Sequence, residues 1–166
     1  MTWREDLERL YREDGDRLWR AVFLYARDRE VANEAVSEAF AQALRRGDAI
    51  VAPASWVWTA AFRIAAGELQ RRRREQSSVA LPEDASRVAA GTVAPSATET
   101  SDAALDLSRA LQRLSERQRA AVVLHYYGGY RLTEVARIVG STPGAIAVHL
   151  HRARSRLRDL IGGTDD

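Results

Sequence analysis

The sequence predicts an all-α fold made of two small helical domains that are joined by a flexible linker. Apolar residues recur at helical spacing almost without interruption over residues 4–75, and the same spacing resumes near residue 104. The segment between them is rich in Ser, Thr, Ala and Pro and has no sustained apolar period. We therefore expect a three-helix domain over 1–75, a linker over 76–103 and a helix-turn-helix domain over 104–162.

The first domain is expected to enclose one core with three helices. The inward positions of its first one or two helices are Leu7, Leu10, Tyr11, Leu18, Val22 and Tyr25. A charged run over 27–30 interrupts this pattern. The apolar side of the second helix consists of Val31, Ala35, Val36, Ala39, Phe40, Ala43 and Leu44. That helix should end near Gly47, and a third should run from about Pro53 to the arginines at 71–74.

The second domain opens with apolar residues at Leu105, Leu107, Leu111 and Leu114. Ser115 and Gln118 then have the spacing of a capping box, in which the Ser hydroxyl and the Gln side chain satisfy free N–H groups at a helix start. We expect this helix to continue through Tyr127 and to end at the glycine pair 128–129.

Two short helices around a tight turn are predicted over residues 132–154, and this arrangement is a helix-turn-helix. The inward stripe of the first helix is Leu132, Val135, Ala136 and Val139. Gly140 should end that helix, Thr142 can cap the next one, and Pro143 fits a first helical position because no N–H is needed there. The side of the second helix that packs on the first is formed by Ile146, Leu150, Ala153 and Leu157.

The opposite side of the second helix has the chemistry of a DNA-reading surface. Its residues are Gly144, Val148, His151, Arg152 and Ser155, with Arg154, Arg156 and Arg158 beside them. Small residues allow close approach to the major groove, Arg152 can contact guanine or phosphate, and Val148 can contact a thymine methyl group. The flanking arginines suit phosphates. An ordinary helical hairpin with a solvated basic face is the alternative, but the turn and the two matched stripes favour DNA binding.

Composition supports a nucleic-acid partner for the second domain. Residues 104–161 contain ten arginines and only four acidic residues, although the whole chain has a net charge of +2.

The chain has no cysteine, which excludes disulfides, thiolate zinc sites and cysteine nucleophiles. No apolar stretch approaches the roughly 20 residues of a membrane span, and the N-terminus is too acidic for a signal peptide, so we expect a cytoplasmic protein.

Several segments resemble bacterial RNA polymerase sigma factors. The runs 111–120, 125–129 and 150–158 look like region 4 of that family, and the runs 35–40 and 53–61 look like region 2 of its extracytoplasmic-function (ECF) group. The resemblance implies that region 2 binds the clamp helices of core RNA polymerase and opens the −10 element. It implies that region 4 sits on the polymerase flap and reads the −35 element.

The resemblance also implies roles for individual residues. Glu34 and Glu38 would contact the clamp, and the −35 contacts would come from Gly144, Val148, His151, Arg152, Arg154, Ser155 and Arg156. Single-stranded −10 DNA would meet Trp56, Trp58, Phe62, Arg63, Arg71 and Arg72. Aromatic residues at helical spacing are more often core residues, so at most one of the two tryptophans is expected to stack on a base.

The expected partners are core RNA polymerase, double-stranded promoter DNA, single-stranded −10 DNA and, as a further candidate, an anti-sigma protein. No cofactor, metal or catalytic residue is expected. Ala147, Val148 and His149 stand where family members carry more polar or basic residues, so the promoter sequence of relatives does not transfer to this chain.

Two other function classes compete with this interpretation. A stand-alone dimeric helix-turn-helix regulator would account for the second domain but would give the first domain no role. An enzyme would have to use His125, His149 or His151. His149 and His151 diverge by about 200° around a helix and cannot share a metal ion.

Overall fold

A computed structural model describes residues 2–78 and 102–162, and within these residues the chain is helical and has no β-strand. The chain divides into two compact units, Met1–Gly91 and Thr92–Asp166. The predicted all-α fold is confirmed. In the described part of the chain, no helix combines the length and the apolar character that crossing a bilayer requires. Most of the predicted linker lies outside the described residues.

Unit one, Met1–Gly91, contains three long helices. They are α1 (Trp3–Ala26), α2 (Arg29–Arg46) and α3 (Pro53–Ser78), with a single 3-10 turn at Gly47–Ala49 between α2 and α3. Each of the three packs against the other two. Helix α3 extends to Ser78, beyond the end expected at residues 71–74, and so includes the start of the predicted linker.

The break between α1 and α2 comes from two neighbouring residues of the charged run. Arg27 adopts a left-handed backbone conformation with φ of 62°, which ends α1. The Asp28 carboxylate then accepts a hydrogen bond from the Val31 N–H at 3.0 Å and caps α2. Gly47 ends α2 with φ of 72°, a value that glycine adopts without a steric penalty.

The core of unit one follows most of the predicted stripes, with two exceptions. Tyr11 is 60% exposed and Leu44 is 51% exposed, although both were expected inside. Leu44 lies about 100° further round α2 than the buried Ala43, which turns it out of the stripe. The rings of Tyr11 and Phe40 are perpendicular, with centroids 5.0 Å apart, and the rest of the Tyr11 surface is in solvent.

Unit two, Thr92–Asp166, is organised around its last helix. Its elements are α4 (Asp102–Gln112), α5 (Glu116–Val122), a π-helical turn (Val123–Tyr127), α6 (Leu132–Val139) and α7 (Pro143–Gly162). Helix α7 packs against α4, α5 and α6. The helix-turn-helix consists of α6 and α7.

The predicted start and stop signals of unit two are present. Ser115 and Gln118 form the capping box at the start of α5. Gly140 ends α6 with φ of 70°, and the Thr142 hydroxyl accepts from the Ala145 N–H at 3.2 Å to cap α7. The predicted stripe of α6 needs one correction, because Val139 is 39% exposed. Ile138, 3% exposed, takes the buried place, about 100° round the helix from Val139.

Candidate nucleic-acid interface

Helix α7 has one buried side and one side in solvent. Ile146, Leu150 and Ala153 are no more than 2% exposed, so they anchor the helix in unit two. The predicted DNA-facing residues are all exposed on the other side: Gly144, Val148, His151, Arg152 and Ser155. The structure therefore brings these five residues together on one surface, as the helical spacing predicted.

Exposed arginines surround this surface. They are Arg152, Arg154, Arg156 and Arg158. Within residues 102–162, no carboxylate lies within ion-pair distance of any of the four, whereas in unit one Arg71 pairs with two carboxylates and Arg72 with three. A row of cations without carboxylate partners attracts a polyanion, and DNA is the polyanion whose groove accepts a helix.

Arg154 interacts with Tyr126, a residue to which the sequence pattern assigns no role at this surface. Its Nε donates a hydrogen bond to the Tyr126 hydroxyl, and its guanidinium carbon lies 5.4 Å from the centroid of the Tyr126 ring. Tyr126 is 55% exposed. Helical periodicity had treated this tyrosine as one more residue of α5, because periodicity carries no signal for a change of helix type.

The change of helix type occurs over Val123–Tyr127. The Gly128 N–H donates to the Val123 carbonyl at 2.9 Å, which is the five-residue spacing of a π-turn. Nδ1 of His125 and the carbonyl of Tyr130 are 2.8 Å apart and form a second contact across this turn. The half-buried His125 therefore acts within the fold of unit two.

Two of the aromatic residues expected at the −10 element are core residues, and their prediction is wrong. Trp58 and Phe62 are each 2% exposed. The indole N–H of Trp58 donates to the Asp14 carboxylate at 2.8 Å, and the Phe62 ring lies 5.3 Å from that of Tyr25. Both side chains join α3 to α1 and present no free face to a base. Trp56 is half-buried and retains solvent-accessible surface.

Two arginines of the run at 71–74 of α3 form ion pairs within unit one, which the sequence pattern did not predict. Arg71 pairs with Glu68 and with Glu75, both at 2.5 Å, and the Glu68 hydrogen bond is the main cause that raises the pKa of Arg71. Arg72 contacts Asp28 at 2.7 Å and Glu68 at 3.2 Å. These two arginines neutralise carboxylates of unit one, while Arg63 is exposed on the same helix.

Asp28 links the Arg72 contact to the start of α2. Partial burial alone would raise the pKa of this carboxyl. Hydrogen bonds from the Val31 N–H and from Arg72 outweigh that effect and hold the pKa below its ordinary value. Arg72 therefore holds the end of α3 against the N-terminus of α2.

The two acidic residues predicted for polymerase binding lie on α2, one turn apart. Glu34 is exposed. Glu38 accepts hydrogen bonds from Gln42 at 3.1 Å and from Arg45 at 2.7 Å, and these bonds lower its pKa. Glu34 is thus the more accessible carboxylate for a basic partner.

The histidines do not assemble into a metal site. His149 is half-buried, whereas His151 is exposed. Over residues 2–78 and 102–162, no group of three or more His, Cys, Asp or Glu side chains is placed to hold a metal ion.

Comparison with known proteins identifies the family. Residues 104–157, which extend from α4 into α7, match the family described as Sigma-70, region 4. The chain is also 34% identical to the ECF RNA polymerase sigma factor SigM of Mycobacterium tuberculosis (strain H37Rv), over 93% of this chain and 76% of SigM. The chain belongs to the ECF RNA polymerase sigma factors.

Further relatives and a solved structure agree with this assignment. The M. tuberculosis ECF RNA polymerase sigma factor SigL is 30% identical over 90% of this chain and 85% of its own length. The sigma factor RpoE from Bartonella quintana, solved in complex with the anti-sigma factor NepR, superposes with a TM-score of 0.76. That match covers 98% of this chain and 99% of RpoE at 21% identity, so it shows the shared fold.

As an ECF sigma factor, this chain directs transcription initiation at promoters and is a regulatory protein rather than an enzyme. The match to sigma factors extends over both units, since SigM aligns with 93% of the chain. A stand-alone dimeric regulator, which would need only the helix-turn-helix, is therefore not favoured.

Proposed function

We propose that this sigma factor reads the −35 element of its promoters through the solvent-facing side of α7. The observation that carries the proposal is the set of exposed arginines that flank this side of α7 and have no carboxylate partner within residues 102–162. Arg152 would contact a base edge, and Val148, 47% exposed, would contact a thymine methyl group. Arg154 and Arg156 would bind phosphates, which fix the register of the helix.

The residues beside them on α7 are consistent with this division between base contacts and phosphate contacts. Gly144 and Ser155 are exposed and small, so the ends of this surface can approach the groove closely. His151 lies between them and can donate a hydrogen bond to a base or a phosphate. Val148, His151 and Arg152 would determine which −35 sequence is bound. That sequence is expected to differ from the one bound by relatives that carry more polar or basic residues at positions 147–149.

Unit one would bind core RNA polymerase and open the −10 element. Glu34, with Glu38 one turn later, would face basic groups of the polymerase clamp. Trp56 and Arg63 are the exposed or half-buried −10 candidates that are left once Trp58 and Phe62 are assigned to the core. Arg71 could still bind the DNA backbone by exchanging a carboxylate for a phosphate, because its side chain is 56% exposed.

An anti-sigma protein is a proposed further partner. RpoE, whose fold this chain shares, was crystallised with the anti-sigma factor NepR. A protein that covers α2 or α7 would compete with polymerase or with DNA. Polymerase binding and promoter opening take place where core polymerase works, so the proposal implies a cytoplasmic protein.

Transcription with purified core RNA polymerase tests the proposed function. A genomic promoter library is transcribed with and without the protein, and short abortive RNAs are sequenced to locate the start sites. We expect protein-dependent initiation at sites that share a two-part −35 and −10 motif. A lack of initiation, together with binding of a palindromic duplex by the protein alone, would contradict the proposal in favour of a dimeric regulator.

A further inference from the structure

Tyr126 and Arg154 form an exposed pair at the edge of the DNA-facing side of α7. We propose that the pair is a binding site for one backbone phosphate of promoter DNA, in which Tyr126 both orients Arg154 and donates its own hydroxyl proton to the phosphate. This inference rests on the proposed −35 role of α7. It adds to that role a contact from the π-helical turn, outside the two helices of the helix-turn-helix.

The hydrogen-bond donors of the pair suit an anion. Arg154 uses its Nε to donate to the Tyr126 hydroxyl, and a guanidinium has four further N–H groups on its two terminal nitrogens. The hydroxyl accepts from Arg154, so its own proton is free to point to another acceptor. A donor that is already polarised by a cation is a stronger donor. The two side chains can therefore direct donors at a single phosphate.

Within residues 102–162, no carboxylate is placed to compete with a bound anion for the pair. No carboxylate within residues 102–162 lies within ion-pair distance of Arg154, and the exposed Arg152, Arg156 and Arg158 add positive charge nearby. Tyr126 is 55% exposed and Arg154 is also exposed. A surface contact of this kind contributes little to folding, so a role in binding accounts for the pair better than a role in stability.

The pair lies where the DNA backbone would pass. Gly144, Ala147, His151 and Arg154 follow one another at three- and four-residue spacing, so they form a single row along α7. Tyr126, on the turn that follows α5, meets this row at Arg154. The π-turn holds the position of Tyr126, because the Val123 carbonyl is bonded to Gly128 and His125 is bonded to the carbonyl of Tyr130.

Promoter binding by the assembled holoenzyme tests the site. The full chain is combined with core RNA polymerase, and its affinity for a promoter duplex is measured at several salt concentrations. The variants are Tyr126→Phe, Arg154→Ala and the double variant. Tyr11→Phe is the matched control, because Tyr11 is 60% exposed and lies in unit one. Thermal unfolding of each free variant reports any effect on the fold.

We expect Tyr126→Phe to weaken binding about threefold to tenfold, with an unchanged melting temperature. The loss should be equal on a duplex with a scrambled −35 element, because a phosphate carries no sequence information. Arg154→Ala should lower the salt slope by about one ion. The double variant should bind only slightly more weakly than Arg154→Ala, because the two groups act on the same phosphate. Tyr11→Phe should bind as the wild type does.

Three results would overturn the proposed phosphate site, and each can be distinguished from the other two. Wild-type affinity in Tyr126→Phe would remove the tyrosine from the interface while leaving the proposed sigma function intact. A loss that follows a lower melting temperature would assign the pair to the fold. If the wild-type holoenzyme initiates at no promoter, the proposed function fails, and the phosphate site fails with it.

Discussion

At Arg72 the guanidinium is held between Asp28 and Glu68, whereas at Arg152 no carboxylate lies within ion-pair distance among residues 102–162. The same residue type therefore has two roles, one inside the fold and one toward a partner. The tryptophans divide in the same way. Trp58 is 2% exposed and bonded to Asp14, but Trp56 is half-buried. Partners and burial, rather than residue type, separate the two roles.

Replacing Arg152 by Ala tests the base contact. If Arg152 bonds a base edge, the change should weaken discrimination between a cognate and a scrambled −35 element by about 1 to 3 kcal/mol. Arg158→Ala is the control, since Arg158 is exposed on the same helix and is expected to meet only phosphates. Competition binding of the holoenzyme measures both variants. An equal loss on both duplexes for Arg152→Ala would reassign it to the backbone.

Replacing Trp58 by Phe tests its assignment to the core. The variant loses buried volume and leaves the Asp14 carboxylate without its indole donor, so the free energy of unfolding should fall by about 2 kcal/mol. Trp56→Phe, the matched control, should change it by less than about 1 kcal/mol. Urea unfolding measures both. Unchanged stability in Trp58→Phe, combined with slower promoter opening, would restore a role in stacking on DNA.

At the scale of the elements, the sequence predicts where a helix begins or ends better than it predicts which side of the helix is buried. Gly140, Thr142 and Ser115 mark ends and starts of helices through local backbone chemistry, so they could be recognised without knowledge of packing. Trp58 and Phe62 could not be assigned in this way, because helical spacing does not tell which side of α3 faces its two neighbours. Tyr126 was missed for a third reason. The π-turn changes the register after Val122, and no residue type specifies such a turn.

The junction of α2 and α3 gives a pH-dependent prediction. The pKa of Asp28 is lowered in the fold, so its contribution to stability is present above the ordinary pKa of 3.8 and is lost as pH falls through the lower folded value. Asp28→Asn keeps a capping side chain but loses the charge that Arg72 meets. We expect it to unfold about 1 kcal/mol more easily at pH 7 and to lose less stability on acidification than the wild type.

The control for this prediction is Asp6→Asn. Asp6 pairs with Arg9 at 3.0 Å on an exposed part of α1, where such pairs contribute little. Urea unfolding between about pH 3 and pH 7 measures the two variants and the wild type, a range that includes the ordinary carboxyl pKa. An identical pH dependence in Asp28→Asn and in the wild type would show that the Arg72 contact does not stabilise the α2 to α3 junction.

At the scale of the whole molecule, the arginines of the two units differ in their partners. Within the described residues, unit one uses Arg9, Arg12, Arg17, Arg45, Arg71 and Arg72 in ion pairs with its own carboxylates. Unit two exposes arginines on α7 that have no such pairs there. We therefore predict that carboxylates of unit one compete with DNA for α7 in the free protein, and that core polymerase removes this competition by binding unit one.

Isolating unit two tests this competition. Residues 104–166 contain most of the core of unit two, including Leu111, Ile146 and Leu150, so we expect the fragment to fold. Its affinity for a −35 duplex is compared with that of the whole chain, both without polymerase. If unit one masks α7, the fragment should bind the duplex at least about tenfold more tightly than the whole chain does. Added salt should reduce this difference in affinity, because it screens the attraction between unit one and α7. Equal affinities at every salt concentration would mean that α7 is equally accessible in both, so that any control of DNA binding must come from a separate anti-sigma protein.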